Sequence, residues 1–144
     1  MKIGIFDTGV GGVVVARELE KAFPSATILT ANDSKNVPYS GRPRAEILSL
    51  TKKAIAPLLS AGCDVIVIAC NTITTQVLSD IRSAYPDMHF VGTEPMVKPA
   101  AQATKTKRIS ILATPATLSS DRYKALKNEW AAGITVSEPD CSTW

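Results

Sequence analysis

The segment VIVIACNT, residues 65–72, decides the reading of the fold. Its first five residues, 65–69, form an almost unbroken apolar run rich in β-branched side chains. Such a short run fits a strand covered on both faces. Cys70, Asn71 and Thr72 follow at once, and a stretch of helical period then covers 74–84. A strand that passes directly into a helix is the repeating unit of a parallel α/β sheet. Similar short runs occur at 2–6, 27–31, 90–92, 108–113 and, more weakly, 135–137. Between them, helical periods cover 13–22, 44–60, 96–103 and 119–131, and Pro24, Gly62 and Pro86 follow the ends of the first three helices. The alternation predicts right-handed crossovers and a doubly wound, mainly parallel sheet with flanking helices. Only seven residues follow the last strand, so no helix is left to cover it and the architecture is expected to be incomplete there.

Composition removes several classes of function. With 144 residues, 45% of them hydrophobic and 20% charged, the chain is long enough for an ordinary globular core and far from a disordered composition. Sixteen Lys and Arg are scattered among thirteen acids, a net charge of +3 that is too mild to predict a nucleic-acid partner. The cluster Lys105, Lys107 and Arg108 reads as a solvated loop or helix end. No apolar stretch is long enough to span a membrane, and the first apolar run reaches Asp7 too soon for a signal-peptide core, so no membrane partner is expected. Three widely spaced cysteines, Cys63, Cys70 and Cys141, with the single histidine His89, argue against a metal site or a disulfide framework. A reducing, cytoplasmic location is expected.

The chemistry is predicted from position. In a parallel sheet, ligands bind at the carboxyl ends of the strands. Here those ends carry Asp7-Thr8, Asn32-Asp33-Ser34, Cys70-Asn71-Thr72, Thr93-Glu94 and Thr114. Most of these residue types also cap helices, and each taken singly could be a cap. Cys70 does not fit that explanation. A thiol at a helix start is expected to have its pKa lowered from ~8.5 into the range ~3.5–7.5, which suits a base or nucleophile. The alternative is an inert buried thiol, the reading given to Cys63. Asn71 and Thr72 add donors suited to a carboxylate. The glycine-rich loop 7–12 fails both nucleotide patterns, since position 14 is Val and no phosphate-binding lysine follows. Its glycines suit close backbone approach to a small ligand, and Asp7 suits an amino group better than a phosphate.

These residues carry a resemblance. IGIFDTGVGG (3–12), VPYSGR (37–42), VIACNT (67–72), TEP (93–95) and ILATPAT (111–117) follow the order and spacing of the glutamate racemases, within the Asp/Glu racemase superfamily. The resemblance implies cofactor-independent interconversion of L- and D-glutamate by two cysteines on opposite faces of the α-carbon, supplying D-glutamate for peptidoglycan. By the same resemblance Cys70 matches the first catalytic cysteine and Asp7 the acid beside it. Thr8, Tyr39, Ser40, Asn71 and Thr72 match substrate-binding positions, with Thr114 and Thr117 as further contacts. Asp33 and Glu94 resemble acids near the site, a structural role in the turn being an equal alternative for Glu94. The chain departs from the pattern where Thr8 stands for Ser, Ser40 for Gly and Ala113 for Gly.

The family's second cysteine lies in a downstream Gly-Cys-Thr-His-like motif, which these 144 residues do not contain, and Cys141 does not match it by position. The resemblance implies residues 1–94 as a first α/β half and 95–144 as part of a second. Uncovered apolar surface is then expected to promote self-association, a homodimer being the simplest form. Net racemisation by this chain alone is expected to be weak or absent, leaving exchange of one enantiomer's α-hydrogen through Cys70. Two other readings remain open: a related enzyme acting on aspartate or hydantoins or decarboxylating its substrate, and a non-catalytic carboxylate-binding or interaction module. His89 is expected to be an exposed or strand-edge residue at the opposite end of the sheet.

Overall fold

A computed structural model of the protein describes residues 1–141. Its first sheet contains β1 (Lys2–Asp7), β2 (Thr27–Asn32), β3 (Val65–Ile68) and β4 (His89–Gly92), in the spatial order β2-β1-β3-β4. All three pairings are parallel, with Ile3 opposite both Ile28 and Val65, and Val65 opposite His89. The helices α1 (Gly11–Ala22), α2 (Arg44–Ser60) and α3 (Asn71–Ala84) connect the strands.

Alternation along the strands divides the core between two faces. Ile3, Ile5 and Val67 pack with Ala16 of α1 on one side. Phe6, Ile66, Ile68 and Phe90 meet Ile47, Ile55 and Leu58 of α2 and Ile73, Val77 and Ile81 of α3 on the other. The sheet is therefore doubly wound, as the sequence predicts. Coverage is uneven, because two helices lie on one face and α1 alone on the other, where Val91 of β4 is 52% exposed. Gly62, with φ of +67°, makes the left-handed turn from α2 into β3 that a side chain would strain.

The remaining residues build a smaller unit. The helix α4 (Val97–Ala103) leads to β5 (Arg108–Ser110), then α5 (Pro115–Leu118), α6 (Asp121–Trp130) and β6 (Thr135–Ser137). β5 and β6 pair in parallel as a separate two-stranded sheet. Val97, Ile111, Tyr123 and Leu126 form their common core.

Three boundaries differ from expectation in ways that bear on the site. β3 stops at Ile68, and α3 begins at Asn71 rather than 74, so Cys70 is the residue immediately before the helix. β5 stops at Ser110, leaving Ile111 held by its N–H to the Ser137 carbonyl at 2.9 Å. The short helix α5 was not evident in the sequence: four residues show no period, and its signal is Pro115 at the first helical turn. Ser119 then ends α5 while Ser120 caps α6, accepting from the Tyr123 N–H at 3.2 Å. His89 is exposed at the start of β4, the strand end away from Cys70.

Candidate active site

The carboxyl ends of the first sheet lie side by side. Asp7 and Asn32 are the last residues of neighbouring strands and stand in register. Ladder bonding continues past the strand ends, with Asp33 N–H on the Asp7 carbonyl, Ala69 N–H on Phe6 and Thr93 N–H on Ile68. These bonds fix the loops that carry the predicted site residues.

Asp7 is buried, and one carboxylate oxygen accepts the Gly12 N–H at 2.9 Å. Gly12 is required for that approach, because a Cβ there would lie 2.8 Å from the Cβ of Asp7. Thr8 is also buried, and its hydroxyl lies 3.3 Å from the Cys70 sulfur. Cys70 itself is half-buried and packs against the core cluster that includes Tyr39 and Phe6. It is therefore neither sealed among apolar side chains nor remote from Asp7.

The expected depression of the Cys70 pKa is overturned. Burial pushes the thiol up from its ordinary value, and the negative charge of Asp7 adds to the rise. The Thr8 hydroxyl and the N–H groups of Ile73 and Thr72 pull the other way without overcoming burial. Helix-start amides are present, as the sequence implies, but desolvation of the charged sulfur outweighs them.

A contact joins α3 to the turn of α5. The Thr72 hydroxyl lies 2.9 Å from that of Thr114 and 3.4 Å from that of Thr117, and the latter two are 3.2 Å apart. Gln76, one turn further along α3, donates to the Ala116 carbonyl at 2.6 Å and holds the 114–117 turn in place. Asn71 is half-buried, and its Oδ1 accepts from the Thr93 hydroxyl at 3.1 Å.

Asp33 and Tyr39 form a cluster of their own. The Asp33 carboxylate accepts the Tyr39 hydroxyl at 2.7 Å and the Asn36 amide at 2.8 and 2.9 Å. Burial, followed by the bond to Asp33, raises the Tyr39 pKa, and charge on Cys70 raises it further. Ser40, beside it, is half-buried. The Glu94 carboxylate is paired with the Arg122 guanidinium of α6, Oε2 accepting at 2.9 Å.

The structure thus brings Asp7, Thr8, Cys70, Asn71, Thr72, Thr114 and Thr117 together. It ties Asp33 to Tyr39 and Glu94 to Arg122. Gly12, Gln76 and Thr93 support the site by bonds the sequence did not reveal. Among the described residues, no three His, Cys, Asp or Glu side chains gather as metal ligands, and no helix is long and apolar enough to cross a membrane.

Comparison with known proteins gives a consistent result. The Asp/Glu/Hydantoin racemase family model matches residues 14–141. A glutamate racemase of Roseiflexus sp. strain RS-1 is 38% identical over 139 residues, covering 96% of this chain and 51% of that protein. The glutamate racemase of Escherichia coli, solved with L-glutamate and the activator UDP-MurNAc-ala, superposes with a TM-score of 0.90 at 26% identity, covering 99% of this chain and 53% of that one. The glutamate racemase of Aquifex pyrophilus superposes with a TM-score of 0.84 at 32% identity, covering 99% and 57%. The chain spans about half the length of the relatives it matches.

Proposed function

The chain belongs to the Asp/Glu/Hydantoin racemase family, and from that premise we propose that it binds glutamate at the strand ends and moves the α-proton through Cys70. The observation that carries this reading is the Thr8–Cys70 contact at 3.3 Å beside the donors of α3, with Asp7 close enough to act on the thiol. Asp7 would receive the ammonium group. Asn71, Thr72, Thr114 and Thr117 would donate to the α-carboxylate with Thr8, leaving Tyr39 and Ser40 toward the distal carboxylate. Asp33 would act through Tyr39, and Glu94 would tie a loop to α6.

In this mechanism the Cys70 thiolate removes the α-hydrogen as a proton, and the electron pair left on carbon delocalises into the α-carboxylate. Return of the proton from sulfur regenerates the same enantiomer, whereas a proton from the opposite face inverts it. No pyridoxal phosphate, metal or other cofactor enters this scheme. Because burial raises the thiol pKa, Cys70 is mostly protonated near neutral pH, and its action as a base strengthens as pH rises toward that value. Cys63 lies before β3, at the end of that strand away from Cys70, and Cys141, buried beyond β6, does not match the family's second cysteine by position. Inversion by these 144 residues alone is accordingly weak in this account, since a positioned acid or base contributes ~10²–10⁴-fold.

We assign residues 1–94 to one α/β half of the family architecture and 95–144 to part of the other, with the ligand between them; residues 142–144 of that range lie outside the described residues. The three free thiols suit a cytoplasmic setting, and D-glutamate for peptidoglycan is the proposed product of the whole enzyme. Exposed Val10, Val13 and Val14 beside the glycine loop are the proposed patch for self-association.

Alkylation of Cys70 provides the test. L- or D-glutamate is expected to slow its reaction with iodoacetamide more than aspartate or a hydantoin does. Equal protection by aspartate or hydantoin would redirect the assignment to another branch. No protection of a thiol that does react would favour the non-catalytic module.

A further inference from the structure

We propose that Thr93 is a positioning residue that orients the Asn71 carboxamide so that both of its N–H groups are available to a ligand carboxylate. The inference rests on Asn71 being such a donor and assigns the residue that makes it one. An asparagine amide has an accepting end and a donating end, and its neighbours decide which end faces where. Here Oδ1 is engaged by the Thr93 hydroxyl at 3.1 Å. Among the described residues the Asn71 Nδ2 has no protein acceptor, so its two donors are unengaged by the protein, on the residue that follows Cys70.

The Thr93 hydroxyl has a second acceptor in reach, the Ile68 carbonyl at 3.3 Å. That carbonyl already receives the Thr93 N–H at 3.0 Å and the Thr74 hydroxyl at 3.4 Å. Asn71 Oδ1 has no other donor among the described residues. The single hydroxyl proton therefore has its greater effect on Asn71. The backbone bond to Ile68 also anchors Thr93 at the end of β4, so the hydroxyl is held at a fixed place rather than on a free loop. Gly92 completes the arrangement: a Cβ there would lie 2.6 Å from both Leu78 Cδ2 and Thr74 Cγ2, so β4 and α3 approach closely enough for residues 93 and 71 to meet.

The test compares Thr93→Val, which keeps the shape and removes the donor, with Thr93→Ser, which keeps the donor, in the 144-residue chain. Thr93→Ala repeats the donor loss should the valine disturb folding, and thermal melting confirms that each variant is folded. The readout is the side-chain amide pair of Asn71 in nitrogen-15 NMR spectra, identified by its disappearance in Asn71→Ala. Thr93→Val is expected to move this pair toward the position of a free amide, and Thr93→Ser to leave it near wild type. An unchanged pair in Thr93→Val and Thr93→Ala overturns the proposal, whether or not glutamate binds.

Ligand protection of Cys70 provides the second arm. The half-protecting glutamate concentration should rise about 2- to 10-fold in Thr93→Val, the range of one neutral hydrogen bond, and recover in Thr93→Ser. If Asn71→Ala weakens protection and Thr93→Val does not, the role of Thr93 fails while the site stands. If Asn71→Ala has no effect, the binding role of Asn71 fails, and the amide spectra still decide whether Thr93 orients it.

Discussion

Substituting Gly12 by alanine tests how closely the glycine loop is built around Asp7. The added Cβ would meet the Cβ of Asp7 at 2.8 Å, a distance real Cβ atoms essentially never show. Both atoms are fixed to backbone, one in β1 and the other in the first turn of α1, so no rotamer change relieves the contact. The helix must shift from the strand, which lengthens the 2.9 Å bond from the Gly12 N–H to the carboxylate. Overpacking of this kind costs about 1–3 kcal/mol. Alanine also gains helix propensity, up to ~1 kcal/mol, and Gly11→Ala controls for that gain. A Cβ at Gly11 meets Asp7 Oδ2 at an ordinary 3.5 Å. Urea and thermal unfolding should therefore place Gly12→Ala below Gly11→Ala by about 1–3 kcal/mol, roughly 3–10 °C in melting temperature for a chain of this size. Equal midpoints for the two variants would refute the close approach of loop and carboxylate.

Other perturbations follow from the same geometry. Asp7→Asn removes a negative charge that raises the Cys70 pKa, so alkylation of Cys70 near neutral pH should become faster; slower or unchanged alkylation would contradict the charge effect. Glu138 has its pKa lowered, first by the Lys127 ammonium and then by the Tyr123 hydroxyl, each donating at 2.7 Å. Its contribution is present above the ordinary carboxylate pKa and is lost as pH falls through the depressed value. Glu138→Gln should flatten that acid-side loss, seen in urea midpoints from neutral pH downward, with an effect under about 1 kcal/mol for so accessible a pair. Gln76→Ala removes the bond to the Ala116 carbonyl and should cost about 0.5–1.5 kcal/mol. It should also speed hydrogen exchange in the 114–118 turn more than in β1.

Much of this arrangement was legible because the sheet imposes it. The 65–69 run, followed at once by Cys70-Asn71-Thr72, could be read as a strand meeting a helix, and position alone put Asp7, Thr8 and Cys70 at the ends of one sheet, whereas Thr114 follows β5 of the separate second sheet. Features that depend on distant partners could not be read. Glu94 and Arg122 are 28 residues apart, and no local pattern announces their pairing. The bond from Gln76 to Ala116 likewise spans 40 residues and links α3 to α5. The direction of the Cys70 shift is not legible locally, because the helix start is visible in sequence whereas the side chains that desolvate the sulfur come from several elements. The four residues of α5 were too few to show a period.

The most direct measurement follows the α-hydrogen of glutamate in heavy water. Proton NMR of L- and D-glutamate incubated with the 144-residue chain should show loss of the α-proton signal for one enantiomer, with little inversion. The loss should grow as pH rises and disappear in Cys70→Ala. Absence of exchange from both enantiomers across that pH range, or exchange that persists without the Cys70 sulfur, would contradict Cys70 as the group that carries the proton.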